Sequence, residues 1–232
     1  MMPQRVKNII AYGVLMVIRV PLYTRPAQAR SQVRFQKIID AARDHVSELG
    51  FNDLNITTLA NKAGISVHSV YRYFPDMTAI CARFLEEFHA DIDTAIEIFL
   101  FEKMSAENWE EEVGRFIKYL AIHIIERPWI VKTKLICRLD PQLEEHWWRM
   151  SLDLEKRIQQ WLIMMNYKSD NITIEEMGRF IILQIDALIF DIGRSTNDDK
   201  MQSMDSIRKI ILSYLAEHIP SRKQQHEDLT KI

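Results

Sequence analysis

An all-α chain in two helical parts is what the sequence predicts, on three observations. The 232 residues hold 6 Gly and 7 Pro, too few to punctuate a set of strands and turns. Apolar residues recur at three- and four-residue spacing, and no alternating runs meet at Asn-Gly or Asp-Gly, so hairpins are not expected. Between residues 55 and 74 two short helical patterns meet at a glycine, each opened by a side chain able to cap it. That is the layout of a helix-turn-helix.

A hydrophobic content of 47% supplies one large or two small cores, and 27% charged residues is ordinary for a folded chain. The net charge of -2 hides a split: residues 1–83 carry 11 Lys and Arg against 5 Asp and Glu, whereas residues 84–232 carry 19 against 27. A polyanionic partner is therefore expected at the N-terminal end. The resulting division is an extension over residues 1–30, a helix-turn-helix domain over 31–78, a helical regulatory and pairing domain over 79–220 and a polar tail over 221–232.

Within the extension, Arg5 and Lys7 precede an apolar stretch over residues 9–18, and Ala27-Gln28-Ala29 imitates a small-residue cleavage site. The apolar run is short for a secretory signal and Arg19 interrupts it, and it falls well below a membrane span. A disordered extension, or a true start at Met16 that leaves a basic arm with Arg19, Arg25 and Arg30, fits better. With no membrane segment, the protein is expected in the cytoplasm.

The first helix is expected from Val33, where Phe35, Ile38, Ile39, Ala42, Val46 and Leu49 share a face, and Gly50 ends it. Asn55 caps a second helix that buries Ile56, Leu59, Ala60 and Ala63 and stops at Gly64. Ser66 caps a third, over residues 67–74, which buries Val70 and Phe74 and shows Val67, His68, Ser69, Tyr71, Arg72 and Tyr73 on its other face. Small and polar residues at the start of such a helix let its backbone descend into the major groove. The fourth, over residues 77–101, lines up Ile80, Phe84, Phe88, Ile92, Ile96 and Phe99, and makes a rigid link to the rest.

Phe51-Asn52-Asp53, residues 56–60, Ala63-Gly64-Ile65-Ser66 and Ser69-Val70-Tyr71-Arg72-Tyr73-Phe74-Pro75 resemble the TetR family of bacterial regulators. The resemblance covers about residues 32–90. It implies a cytoplasmic homodimer bound to a double-stranded operator, most often a repressor released by a small molecule. It also implies that Asn55 and Thr57 meet the phosphate backbone, that Ser66, Val67, His68, Ser69, Tyr71, Arg72 and Tyr73 form the reading surface, and that Tyr71 and Tyr73 give hydroxyl bonds to phosphates. Two positions depart from the family's pattern: Val67 and Met77 stand where lysines are common. Losing two cations lowers non-specific affinity and flattens its salt dependence. The basic arm, or the N–H groups of the fourth helix near residues 76–78, would then compensate. The alternative is a helical interaction module that has lost specific DNA binding.

Further helices are expected over residues 107–126, 129–139, 141–165, 174–194 and 204–219, with Pro128 and Pro141 at first-turn positions. The helix over 174–194 is apolar on more than one stripe. Its Ile181, Ile185, Leu188, Ile189 and Ile192, with Ile207, Ile211 and Tyr214 of the last helix, are the expected dimer face, closing a four-helix bundle. Ile185→Glu with Ile189→Glu is then expected to give monomers. Phe88, Trp109, Phe116, Trp147, Met150, Phe180 and Gln184 are the candidate lining for an apolar or aromatic effector, with Gln184 and Asp186 as polar contacts there or across the dimer.

No GxSxG, HExxH, Walker or GxGxxG element occurs, and His123, His146 and His218 stand alone. Neither Cys81 nor Cys137 has a metal-spaced partner. An enzyme, a cofactor or a metal is not expected.

Overall fold

The computed structural model describes residues 22–219, apart from 106, 195 and 196. Nine α-helices occur among them, and no strand. They are α1 (Ala29–Leu49), α2 (Ile56–Ala63), α3 (Val67–Tyr71), α4 (Met77–Ile96), α5 (Trp109–Ile125), α6 (Pro128–Cys137), α7 (Pro141–Met164), α8 (Ile174–Arg194) and α9 (Asn197–Ala216). A π-helical turn, Glu97–Glu102, continues α4. The Met16 start and the tail over 221–232 lie outside the described residues.

Helices α2, α3 and α4 each begin at a side chain that answers a free N–H. Asn55 Oδ1 accepts from Thr58 N at 2.9 Å, Ser66 Oγ from Ser69 N at 3.3 Å and Asp76 Oδ1 from Ala79 N at 2.9 Å. Such caps are worth about 1 kcal/mol each. Gly64 closes α2 in the left-handed region, with φ 64° and ψ 36°, where a side chain is strained. Ile38, Ile39, Ala42, Val46, Leu59, Val70 and Phe74 fill the space between α1, α2 and α3.

Helix α1 begins four residues before the expected Val33, and the segment leading into it is built into the fold. Tyr23 is 6% exposed, its ring stacked 5.6 Å from Phe74 and lying 5.8 Å from Phe35. The N–H of Thr24 donates to Tyr73 O at 2.9 Å. Counting residues up to 30 as an extension is corrected for its last part: residues 22–30 belong to the N-terminal bundle, because Tyr23 completes its aromatic core.

Helix α8 lies at the centre of the second part, packed against α5, α6, α7 and α9. Gly193 permits part of this approach, since a Cβ there would fall 2.2 Å from Val131 Cγ1 on α6. Its apolar surplus is spent on these four neighbours. Both cysteines are free and buried, and burial pushes their thiols up to about 12 at Cys81 and about 11 at Cys137, so neither is a ready nucleophile. No described helix is long and apolar enough to cross a membrane. Nor do the described residues include a group of three or more His, Cys, Asp or Glu placed to hold a metal.

Candidate nucleic-acid interface

The exposed side of α2 and α3 is assembled from short-range rules. Val70 goes to the core with no exposed surface. One turn of helix around that anchor then leaves His68, Tyr71 and Arg72 exposed, with Val67 and Ser69 half-buried. Tyr71 is 54% exposed, a large aromatic with its hydroxyl held out from the surface. Ser66 and Ser69 hydroxyls meet at 2.8 Å, so this corner is fixed before any partner arrives. Asn55 and Thr57 are exposed at the start of α2, with Lys62 near its end. The structure brings eight of the nine predicted residues onto this surface: Asn55, Thr57, Ser66, Val67, His68, Ser69, Tyr71 and Arg72.

Tyr73 is the exception and a correction. It is 4% exposed, with its ring edge-on to Phe35 at 5.9 Å. The third helix ends at Tyr71 rather than running on to residue 74. Helical bonding nevertheless carries on to Phe74, whose N–H donates to Val70 O at 2.9 Å, and three and four residues beyond Val70 is the same helix face, so Tyr73 turns inward with Phe74. Compensation by the N-terminus of α4 is also weakened. Asp76 already places a carboxylate on that end, and Thr78 Oγ1 donates to Asp140 Oδ2 at 2.9 Å. Val67 and Met77 are half-buried and pack against the core.

Three polar joints tie this head to the second part, and a fourth bond braces α4 against α7. Lys132 Nζ on α6 donates to Ser47 O near the end of α1 at 2.7 Å. Arg43 on α1 pairs with Glu87 on α4 at 2.7 Å and lies over the Trp129 ring of α6. The Thr78–Asp140 bond joins α4 to α7. Glu86 on α4 accepts from Tyr23 Oη and from Arg25 Nη2, and its other oxygen lies 3.3 Å from His146 Nε2 on α7. Burial pushes the Glu86 carboxyl up, but the contact with His146 and the hydrogen bonds from Tyr23 and Arg25 outweigh it and hold it at about 2. Burial followed by the same hydrogen bond pushes the Tyr23 hydroxyl up to about 12. The sequence reading missed this joint, whose one local signal is the apolar pair Leu22-Tyr23 following Pro21.

The predicted dimer face is corrected too. Ile181, Ile185, Leu188, Ile189, Ile192 and Ile211 are buried within a single chain, and only Ile207 and Tyr214 are half-exposed. The apolar residues turned outward on these helices are Leu183, Met201 and Ile210, at 45%, 45% and 51% exposed, with Phe180 and Phe190 half-buried nearby in sequence. Of the predicted effector lining, Phe88, Trp109, Phe116 and Trp147 are core residues at most 6% exposed. Phe88 stacks on Trp147 at 6.2 Å. Met150 and Gln184 are half-buried, and Phe180 lines a cavity described below. Asp186 is buried within the chain, where it pairs with the buried Lys134 of α6 at 3.0 Å.

Residues 38–83 match the family model of the bacterial regulatory proteins of the tetR family. Over 67 residues, 29% of this chain, the sequence is 31% identical to the uncharacterized HTH-type transcriptional regulator YdgC of Bacillus subtilis strain 168. That match spans 34% of the relative's length, about a third. The fold is similar to that of the fatty acid degradation regulator FadR of Bacillus halodurans, with TM-score 0.64 and 15% identity over 77% of this chain and 94% of that one. It is also similar to Thermus thermophilus FadR, a TetR-family transcriptional repressor in complex with lauroyl-CoA, with TM-score 0.56 and 17% identity over 76% and 92%. At these identities the likeness is one of fold.

Proposed function

We propose, from the match of residues 38–83 to the model of the tetR family of bacterial regulatory proteins, that the chain is a cytoplasmic homodimeric transcriptional regulator of that family. Its α2–α3 unit reads an operator, and its α4–α9 part responds to a small molecule by releasing DNA. The observation that carries the reading is the outward row His68, Ser69, Tyr71 and Arg72 on a helix anchored by Val70 and capped by Ser66. Nothing in the packing of the chain requires that row. Hydroxyl, imidazole and guanidinium groups presented together suit phosphate oxygens and base edges. The lauroyl-CoA in the Thermus protein of similar fold supports an effector with a large apolar portion. Pairing of two chains is assigned to the outward residues Leu183 and Ile210 rather than to the buried isoleucines, and it would repeat the reading head about one DNA turn or more away.

The test is a salt series of anisotropy measurements on labelled DNA from the region upstream of the protein's own gene, with random DNA as competitor. Specific, salt-sensitive binding is expected. Tyr71→Phe should weaken it about fivefold through one lost phosphate bond, while Tyr73→Phe should leave it within about twofold. Val67 and Met77, both apolar and packed, favour a second reading as an interaction module without specific DNA binding. Equal affinity for upstream and random DNA, with the dimer intact, would decide for that module.

A further inference from the structure

One cavity has no part in the reading head. It holds about 320 Å³ and is lined by Asn171, Ile172, Glu176, Met177, Phe180 and Tyr214. It sits where the loop after α7 meets the start of α8 and the end of α9. Helix α7 is 24 residues long, about 36 Å, and its other end touches α4 through Asp140 and Thr78. The cavity is therefore remote from the DNA-facing surface.

Its walls define what fits. Phe180 and Tyr214 have ring centroids 6.0 Å apart, tilted by 39°. The row continues through His218, 5.1 Å from Tyr214, to Tyr167, 5.4 Å further on. Aromatic faces attract cations through the ring quadrupole. Elsewhere the chain spends its own cations this way, on Tyr23, Trp129, Phe99, Trp147, Phe190 and Phe101. Among the described residues none lies over Phe180 or Tyr214.

Charge points in the same direction. Glu176 brings a carboxylate to the lining, and among the described residues no lysine or arginine lines it. The start of a helix would ordinarily favour an anion. Here that end is already closed: Thr173 N–H donates to Glu176 Oε2 at 2.9 Å, Glu176 N–H donates to Thr173 Oγ1 at 3.2 Å, and Met177 N–H is taken by Thr173 O. Ile172 and Met177 supply apolar wall for an attached group.

We infer that this cavity binds a small organic cation carrying an aryl or branched alkyl group, its ammonium held against Phe180 and Tyr214 beside Glu176. The site stands on its own chemistry. That its occupant is the effector rests on the regulator reading above, and the geometry suits that role, because α8 and α9, which flank the cavity, also carry Leu183 and Ile210.

The experiment uses the full chain with methyl-labelled methionine, the Met177 signal being assigned by its loss in Met177→Leu. Benzyltrimethylammonium, benzyl alcohol and phenylacetate are titrated separately. The cation is expected to shift Met177 with a dissociation constant of about 1 mM or lower, and phenylacetate to bind at least about fivefold more weakly. Glu176→Gln should weaken the cation about threefold to tenfold and leave benzyl alcohol unchanged. Phe180→Leu, which keeps the volume and removes the ring face, should weaken it similarly. A Met177 signal unmoved at about 50 mM cation, phenylacetate binding as well as the cation, or indifference to both substitutions would overturn the site. Adding the cation to the protein–DNA complex separates the two readings. Retained DNA binding at saturated Met177 removes the effector role alone, whereas a free chain that binds no DNA removes the regulator reading and leaves the site.

Discussion

In the reading head, α1 to α3 enclose an apolar core. His45 is the buried polar residue there among the described residues, with its Nε2 2.9 Å from Asn52 O. The interior of the second part is different. Glu112, Thr133, Lys134, Ser151, Glu155 and Asp186 are all buried there, and among the described residues Glu112 Oε2, Ser151 Oγ and Trp147 Nε1 have no hydrogen-bond partner, against Arg43 Nε and His45 Nδ1 in the head. An apolar core with capped helices has one good arrangement. A core holding unpaired polar atoms gains from any rearrangement, or any bound molecule, that satisfies them, by about 1–3 kcal/mol per group. The head thus rests mainly on apolar packing and caps, and the second part on buried polar groups as well.

The largest expected effect tests which surface of that second part is inside. Ile189→Glu places a carboxylate where no surface is exposed, at a cost on the order of 5 kcal/mol. The chain should lose its cooperative thermal transition rather than become a folded monomer. Leu183→Glu with Ile210→Glu alters exposed positions and should leave the helical signal intact while sedimentation shifts from dimer to monomer. A dimer that survives the exposed pair would place the contact between chains elsewhere.

Next in size is the buried ion pair. Lys134 Nζ lies 3.0 Å from Asp186 and 3.6 Å above the Trp147 ring, and Arg138 approaches Asp186 from outside at 3.8 Å. Burial pushes the lysine's pKa down, and Asp186 opposes that shift. Asp186→Ala strands the cation and should cost about 3 kcal/mol in urea denaturation, whereas Lys134→Met with Asp186→Leu should recover most of the loss. If the double variant were as unstable as the single one, the pair would hold more of the fold than its own charge.

What the sequence made legible divides along the same line. Caps, the glycine turn and the anchor Val70 are local features, so the head could be read residue by residue. The error there, Tyr73, lies three residues beyond Val70 and so on the same helix face, where the phase already placed it inside. In the second part the helix positions were legible from periodicity and from Pro128 and Pro141. Which stripe of α8 faces out was not, because a helix with four neighbours is apolar on most sides. Only tertiary contacts, such as Gly193 against Val131, decide which of its isoleucines are inside. The same logic turned Phe88, Trp109, Phe116 and Trp147 from expected lining into core.

Glu86 belongs to both regions, and its effect is the smallest of the three but carries a pH signature. Its side chain is 21% exposed. It gathers Tyr23 and Arg25 of the leading segment and His146 of α7, which together hold its carboxyl at about 2 against an ordinary 4.5. A carboxyl whose pKa is lower in the folded state contributes stability above its unfolded value and loses it as the pH falls towards the folded one. The loss therefore runs from about 4.5 down to about 2. Glu86→Gln should cost about 2 kcal/mol at neutral pH and flatten the acid limb of the stability curve across that window. Tyr23→Phe keeps the ring between Phe35 and Phe74 and removes one of the two hydrogen-bond donors, so it should flatten the same limb only in part. Acid unfolding curves of Glu86→Gln and the unaltered chain that run parallel between those values would mean that the joint holds the two regions together by packing, with the carboxylate as a bystander.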